Sequence, residues 1–104
     1  MGAIIILSTF PDMETARDIS TRMVREGAAA CASIIQVASS IYVWEDSIQD
    51  SPECMVLFKT TSQNGSRLRE LIRQCHPYDT PEIAQIAVEE INHPYMRWLA
   101  DSVR

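Results

Sequence analysis

The sequence predicts a single α+β domain in which two helices and four strands alternate as β-α-β-β-α-β, with one further helix at the end. Three observations carry that reading. Two segments place apolar residues at helical spacing, several runs are short and rich in β-branched residues, and one stretch, Ala29–Glu45, is far longer than an ordinary strand. At 104 residues, 46% hydrophobic and 22% charged, the chain has enough apolar material for one core. The domain therefore spans residues 1–104 without a linker.

Ala3–Leu7 is a continuous apolar run of the kind that forms a strand buried on both faces. Ser8-Thr9-Phe10-Pro11-Asp12 follows as a turn with helix-start chemistry, because proline suits a first helical turn and Asp or Thr can cap it. From Met13 to Glu26, Ala16, Ile19, Met23 and Val24 trace one helical stripe, and Gly27 terminates it. Ala29–Glu45 lacks Gly, Pro and charge before its last residue, and its second half is β-branched and aromatic. It reads as one long bent strand, or two strands sharing a corner, projecting beyond the sheet of its own subunit.

Glu45-Asp46-Ser47 and Asp50-Ser51-Pro52 bracket what reads as a polar loop around Ile48. Cys54–Thr61 is a strand with two largely apolar faces: Cys54, Val56 and Phe58 on one, Met55, Leu57 and Lys59 on the other. Ser66 is the expected cap of a second helix, whose stripe is Leu68, Leu71, Ile72 and Cys75. His76-Pro77 ends that helix. Pro81–Glu90 holds Ala84, Ile86 and Val88 at period two, a fourth strand, and Asn92 and Pro94 open the terminal helix. This order is the split βαβ, ferredoxin-like arrangement, in which both helices cover one face of an antiparallel sheet. The other face is expected to be polar in a monomer. Here it is apolar, so a symmetric oligomer that buries it is predicted, reached by the long ribbon.

Composition excludes several functions. A net charge of −5 with no basic patch argues against general nucleic-acid binding. No apolar run approaches the roughly 20 residues of a membrane-spanning helix. Gly2, Gly27 and Gly65 cannot build a P-loop or dinucleotide fingerprint. Cys31, Cys54 and Cys75 form no CxxC and are odd in number, which fits reduced thiols and a cytoplasmic location.

Ser8-Thr9-Phe10-Pro11-Asp12, Ala29-Ala30-Cys31-Ala32, Ser40-Ile41-Tyr42-Val43-Trp44-Glu45, Phe58-Lys59-Thr60, His76-Pro77-Tyr78 with Pro81-Glu82-Ile83, and Tyr95-Met96-Arg97-Trp98-Leu99 together resemble the CutA divalent-cation-tolerance proteins. The resemblance runs over essentially the whole chain. It implies a cytoplasmic, non-enzymatic homotrimer of ferredoxin-like subunits with a role in metal-ion tolerance, copper being the ion most often linked to it. It also implies a likeness in fold and assembly to the PII signalling trimers. The chain departs from the family pattern at Gln36-Val37, where Pro-Gly is usual, at Asp46, where Gly is usual, and at Ala87 and Ile91, where Pro and Gly are common. Losing Pro and Gly from the ribbon predicts either a straighter strand or a bend made by a bulge.

The residues that can carry chemistry are few. Cys75-His76 pairs a thiol with an imidazole, donors suited to copper or zinc, and the resemblance places a histidine pair here in some members. Cys75 also completes a helix stripe, so core packing explains it as well. Cys31 is a third metal-ligand candidate, with burial as the competing reading. A closed metal site needs three or four ligands, and chain neighbours supply two. Lys59, the single lysine, sits among apolar strand residues and calls for a partner, with Glu82 or Glu45 as candidates. Grouped with Tyr42, Trp44, Tyr78 and Glu82, it would make an inter-subunit cleft for a small anionic metabolite, the alternative PII-like function. A Cys–His hydrolase requires thiol and imidazole to face each other, which adjacent residues at a helix end seldom do.

Overall fold

The computed structural model describes residues 2–104. Its elements are β1 (Ala3–Phe10), α1 (Met13–Arg25), β2 (Cys31–Trp44), β3 (Ser47–Thr61), a 3-10 turn (Ser62–Asn64), α2 (Gly65–Cys75), β4 (Ile83–Ala87) and α3 (His93–Ser102). The strands form one antiparallel sheet in the order β2-β3-β1-β4. The predicted α+β fold and element order are present.

Side-chain alternation decides where the core lies. Ile4, Ile6 and Phe10 of β1 and Cys54, Val56 and Phe58 of β3 pack against Ala16, Ile19 and Met23 of α1 and Leu68 and Ile72 of α2. Both helical stripes therefore bury on one side of the sheet, with Phe10 and Phe58 edge to face at 6.4 Å. The opposite face carries Ile5, Leu7, Met55, Leu57, Ile35 and Ile86 at the intervening positions. Helix α3 crosses this face only near Ala3, where Leu99 packs with Ala3 and Ala30. The rest stays partly open.

Local chemistry sets the helix ends. The Asp12 carboxylate accepts the Thr15 N–H at 2.7 Å and caps α1. This bond holds the Asp12 carboxyl below its usual range. Gly27, at φ 76°, ends α1 in a left-handed conformation that a side chain would oppose. Ser66 does not cap α2. That helix begins at Gly65, out of the 3-10 turn, so its cap position is Asn64, two residues before Ser66, and Asn64 makes no side-chain capping bond. Ser66 instead accepts from Arg69 at 3.1 Å.

The polar loop expected around Ile48 is absent. Ser47–Pro52 belongs to β3, and Glu45-Asp46 alone makes the turn, with φ values of 50° and 65°. Both residues adopt the left-handed conformation that a two-residue hairpin demands, and Asp at position 46 tolerates this region better than most residues other than Gly and Asn. Between Val37 and Ser40 the register slips, leaving Ala38 and Ser39 opposite Pro52. Pro52 has no N–H to donate to the ladder, so a bulge forms where pairing would be lost. Of the two outcomes expected from the loss of Pro-Gly in β2, the bulge is the one present, opposite a proline of the partner strand.

Strand β1 stops pairing with β3 at Phe10–Cys54, whereas β2 and β3 run on to Trp44–Ser47. The hairpin therefore projects from the body, and the described chain measures 46 Å by 25 by 21 Å. Replacing Asp46 with Gly should stabilise the protein by about 1 kcal/mol by relieving the left-handed backbone, raising the melting temperature by roughly 4–8 °C. Asp46→Val should lower it. Calorimetry of the two variants measures both signs.

Candidate functional site

The hairpin base, the end of α2 and the segment that follows α2 meet in one place. His76 is the hinge of that junction. Its Nε2 lies 2.9 Å from the Thr9 carbonyl, and its Nδ1 lies 3.1 Å from the Tyr78 backbone N. A carbonyl only accepts and an amide N–H only donates, so the proton sits on Nε2 and the lone pair on Nδ1. Nε2 also approaches the Ser8 hydroxyl at 3.2 Å, and that hydroxyl donates to the Glu82 carbonyl at 2.6 Å. The ring stacks on Phe10 at a centroid distance of 4.5 Å and tilts against Tyr78 at 5.0 Å. Burial lowers the imidazole pKa, opposed by the Thr9 carbonyl and the Glu53 carboxylate.

Cys75 belongs to the core side of the same helix end. Its thiol donates to the Leu71 carbonyl at 3.2 Å, and burial pushes its pKa up. Cys75 and His76 are thus neighbours whose donor atoms are committed elsewhere. Cys31 lies apart from both. It pairs with Lys59, which pairs with Ile5, on the face opposite the helices, whereas His76 reaches Ser8 from the helix side. The three candidate ligands do not converge, and among the described residues no group of three or more His, Cys, Asp and Glu side chains is placed to hold a metal ion. As arranged, this donor set does not fit a closed three- or four-ligand site.

The aromatic residues do come together. Tyr42 and Trp44 project from one face of the hairpin, and Tyr78 approaches from the segment after α2. With Gln49, Asp79 and Thr80 they line a cleft of about 440 Å³. The Tyr78 hydroxyl donates to the Glu53 carboxylate at 2.9 Å. Burial first, then this carboxylate, raises the phenol pKa far above its usual value.

Lys59 is not part of this cleft. It lies at the other end of β2, donating to the Ser33 hydroxyl at 3.1 Å, and no salt bridge joins it to Glu82 or Glu45 among the described residues. Glu82 contributes its backbone carbonyl to Ser8. Within one chain, Lys59 and the Glu82 side chain therefore lie outside the cleft that Tyr42, Trp44 and Tyr78 line. The physical reason is register: Lys59 faces Cys31, eleven residues before Tyr42. Sequence reasoning did not include Gln49, Asp79, Thr80 or Glu53, because the expected loop hid Gln49 on a strand.

A histidine pKa below the unfolded value of about 6.5 means that the unfolded chain binds more protons there. The His76 contribution is fully present above pH 6.5 and is lost as pH falls through the folded pKa. Denaturant unfolding should show this loss as pH falls below about 6.5. His76→Gln should flatten the profile in that window while lowering stability at pH 7.5 by roughly 1–2 kcal/mol, through loss of the buried bonds.

The CutA1 divalent ion tolerance protein model matches residues 4–102. The divalent-cation tolerance protein CutA of Escherichia coli is 35% identical over 103 residues, covering 99% of this chain and 92% of that protein. The crystal structure of CutA1 from Ehrlichia chaffeensis superposes with a TM-score of 0.94 at 34% identity, over 97% of this chain and 94% of its own. CutA from Archaeoglobus fulgidus, described as periplasmic, gives 0.94 at 28% identity, over 98% and 99% of the two chains. With the sheet order, the helix placement and the near full-length match in agreement, this chain belongs to the CutA1 divalent ion tolerance protein family.

Proposed function

We propose that this chain acts in tolerance of divalent metal ions, as a cytoplasmic homotrimer without catalytic activity, and that copper is the ion it meets. Family membership over residues 4–102 is the observation that carries the role. Two features support assembly. The sheet face away from α1 and α2 is apolar beyond the reach of α3, and the projecting hairpin exposes Ile41 at 71%, Val43 at 68% and Ile48 at 74%. Apolar surface of this kind, continuous with an edge strand, is normally covered by another protein surface. The absence of catalysis is supported by the orientation of the thiol and imidazole. Cys75 points to Leu71 and His76 to Thr9 and Tyr78, so neither activates the other.

Metal contact through Cys75 and His76 requires the thiol to leave Leu71 and the imidazole to surrender its bond with Tyr78. Binding there is therefore expected to be weak and to release protons, because the thiol must ionise. Copper or zinc titration by calorimetry in two buffers of different ionisation enthalpy measures both. Affinity that persists unchanged in the Cys75→Ala, His76→Ala double variant removes these two residues as ligands, and Cys31→Ser then tests the third.

Sedimentation should give three chains per particle. Ile41→Glu with Val43→Glu should dissociate it, since each buried charge in an apolar contact costs several kcal/mol. A native variant particle of unchanged mass would place the contact elsewhere.

A further inference from the structure

We infer that the cleft formed by Tyr42, Trp44 and Tyr78 binds a small organic cation carrying an alkylated ammonium group. Tyr42 and Trp44 alternate along the hairpin face opposite Ile41 and Val43, are 45% and 53% exposed within one chain, and share the cleft lining with Tyr78. Aromatic ring faces are electron-rich, and several rings around one volume attract a cation whose charge is spread over methyl groups. The polar part of the lining agrees in sign. It contains the Asp79 carboxylate and the neutral Gln49 and Thr80, and no lysine or arginine. Glu53, held by the Tyr78 hydroxyl, adds a second carboxylate behind the ring. A cleft of one sign with partly apolar walls concentrates the opposite charge.

The site is also built in advance. Tyr78 is fixed at its backbone by His76 and at its hydroxyl by Glu53, and His76 is itself stacked on the core residue Phe10. A wall held at both ends costs little ordering when a ligand arrives. The volume, about 440 Å³, falls in the range of small-molecule sites. Competing ligands fit less well. An anion meets carboxylates and no base. A bare divalent ion asks for several oxygens, and Asp79 is the one carboxylate residue in this lining.

The test uses the full chain, with choline as probe and dimethylbutanol as its uncharged isostere, at constant ionic strength. The chain has two tryptophans, Trp44 and Trp98, so their indole N–H signals in a nitrogen–proton spectrum report the cleft and an internal control. Choline should shift Trp44 and leave Trp98 in place. The isostere should bind roughly tenfold more weakly. Asp79 is exposed, so Asp79→Asn should keep the fold and reduce choline affinity severalfold. Tyr42→Leu should weaken choline more than the isostere. Equal binding of choline and isostere, unchanged affinity in Asp79→Asn, or no Trp44 shift with choline would each overturn the inference. So would a response to a methyl glycoside with none to choline, which would make the cleft a sugar-stacking surface.

Discussion

A mismatch in strand length governs this molecule. Strand β3 is shared between two partners, but β1 stops at Phe10 while β2 continues to Trp44. Pro11 follows Phe10 and cannot extend the ladder, so the chain turns into α1 under the Asp12 cap. Beyond that point the β2–β3 pair has no third strand. The bulge at Ala38-Ser39 opposite Pro52 sits just past the limit, where the ribbon leaves the sheet. Core, open face, hairpin and cleft all take their positions from this one offset.

The space left past the end of β1 is filled by the segment that returns from α2. His76 makes the connection, inserting its ring over Phe10 and using both nitrogens on backbone groups of two different segments. A residue of this kind looks like a ligand in a one-dimensional reading and behaves as a structural rivet in three dimensions. Cys75 beside it follows the same logic, its thiol turned back to the helix carbonyl. Within one chain both donors of this pair are committed to hydrogen bonds inside the fold.

Much of the fold was legible because its signals were local. The stripes in α1 and α2, the Gly27 stop, the Asp12 cap and the His76-Pro77 break each depend on a few adjacent residues. The first half of β3 was not legible. Ser47–Pro52 mixes polar residues with a proline, and the turn before it contains no glycine, so pattern alone favours a loop. Pairing with the apolar Ile41–Trp44 segment overrides that preference. The cleft was partly legible: Tyr42, Trp44 and Tyr78 were grouped by type, and they meet. Within one chain Lys59 lies apart from them, facing Cys31 at the start of β2, and sequence carries no information about which end of a long strand another residue reaches.

In the proposed assembly the projecting hairpin and the open sheet face are covered by other copies of the chain. An isolated two-stranded ribbon is marginally stable in water, so its amides exchange rapidly when nothing packs on it. Hydrogen exchange of the wild-type protein at working concentration measures this directly. The account predicts that the paired amides of residues 40–51 are protected nearly as well as those of β1. Rapid exchange throughout 40–51, with β1 still protected, would contradict it and leave the hairpin a free arm.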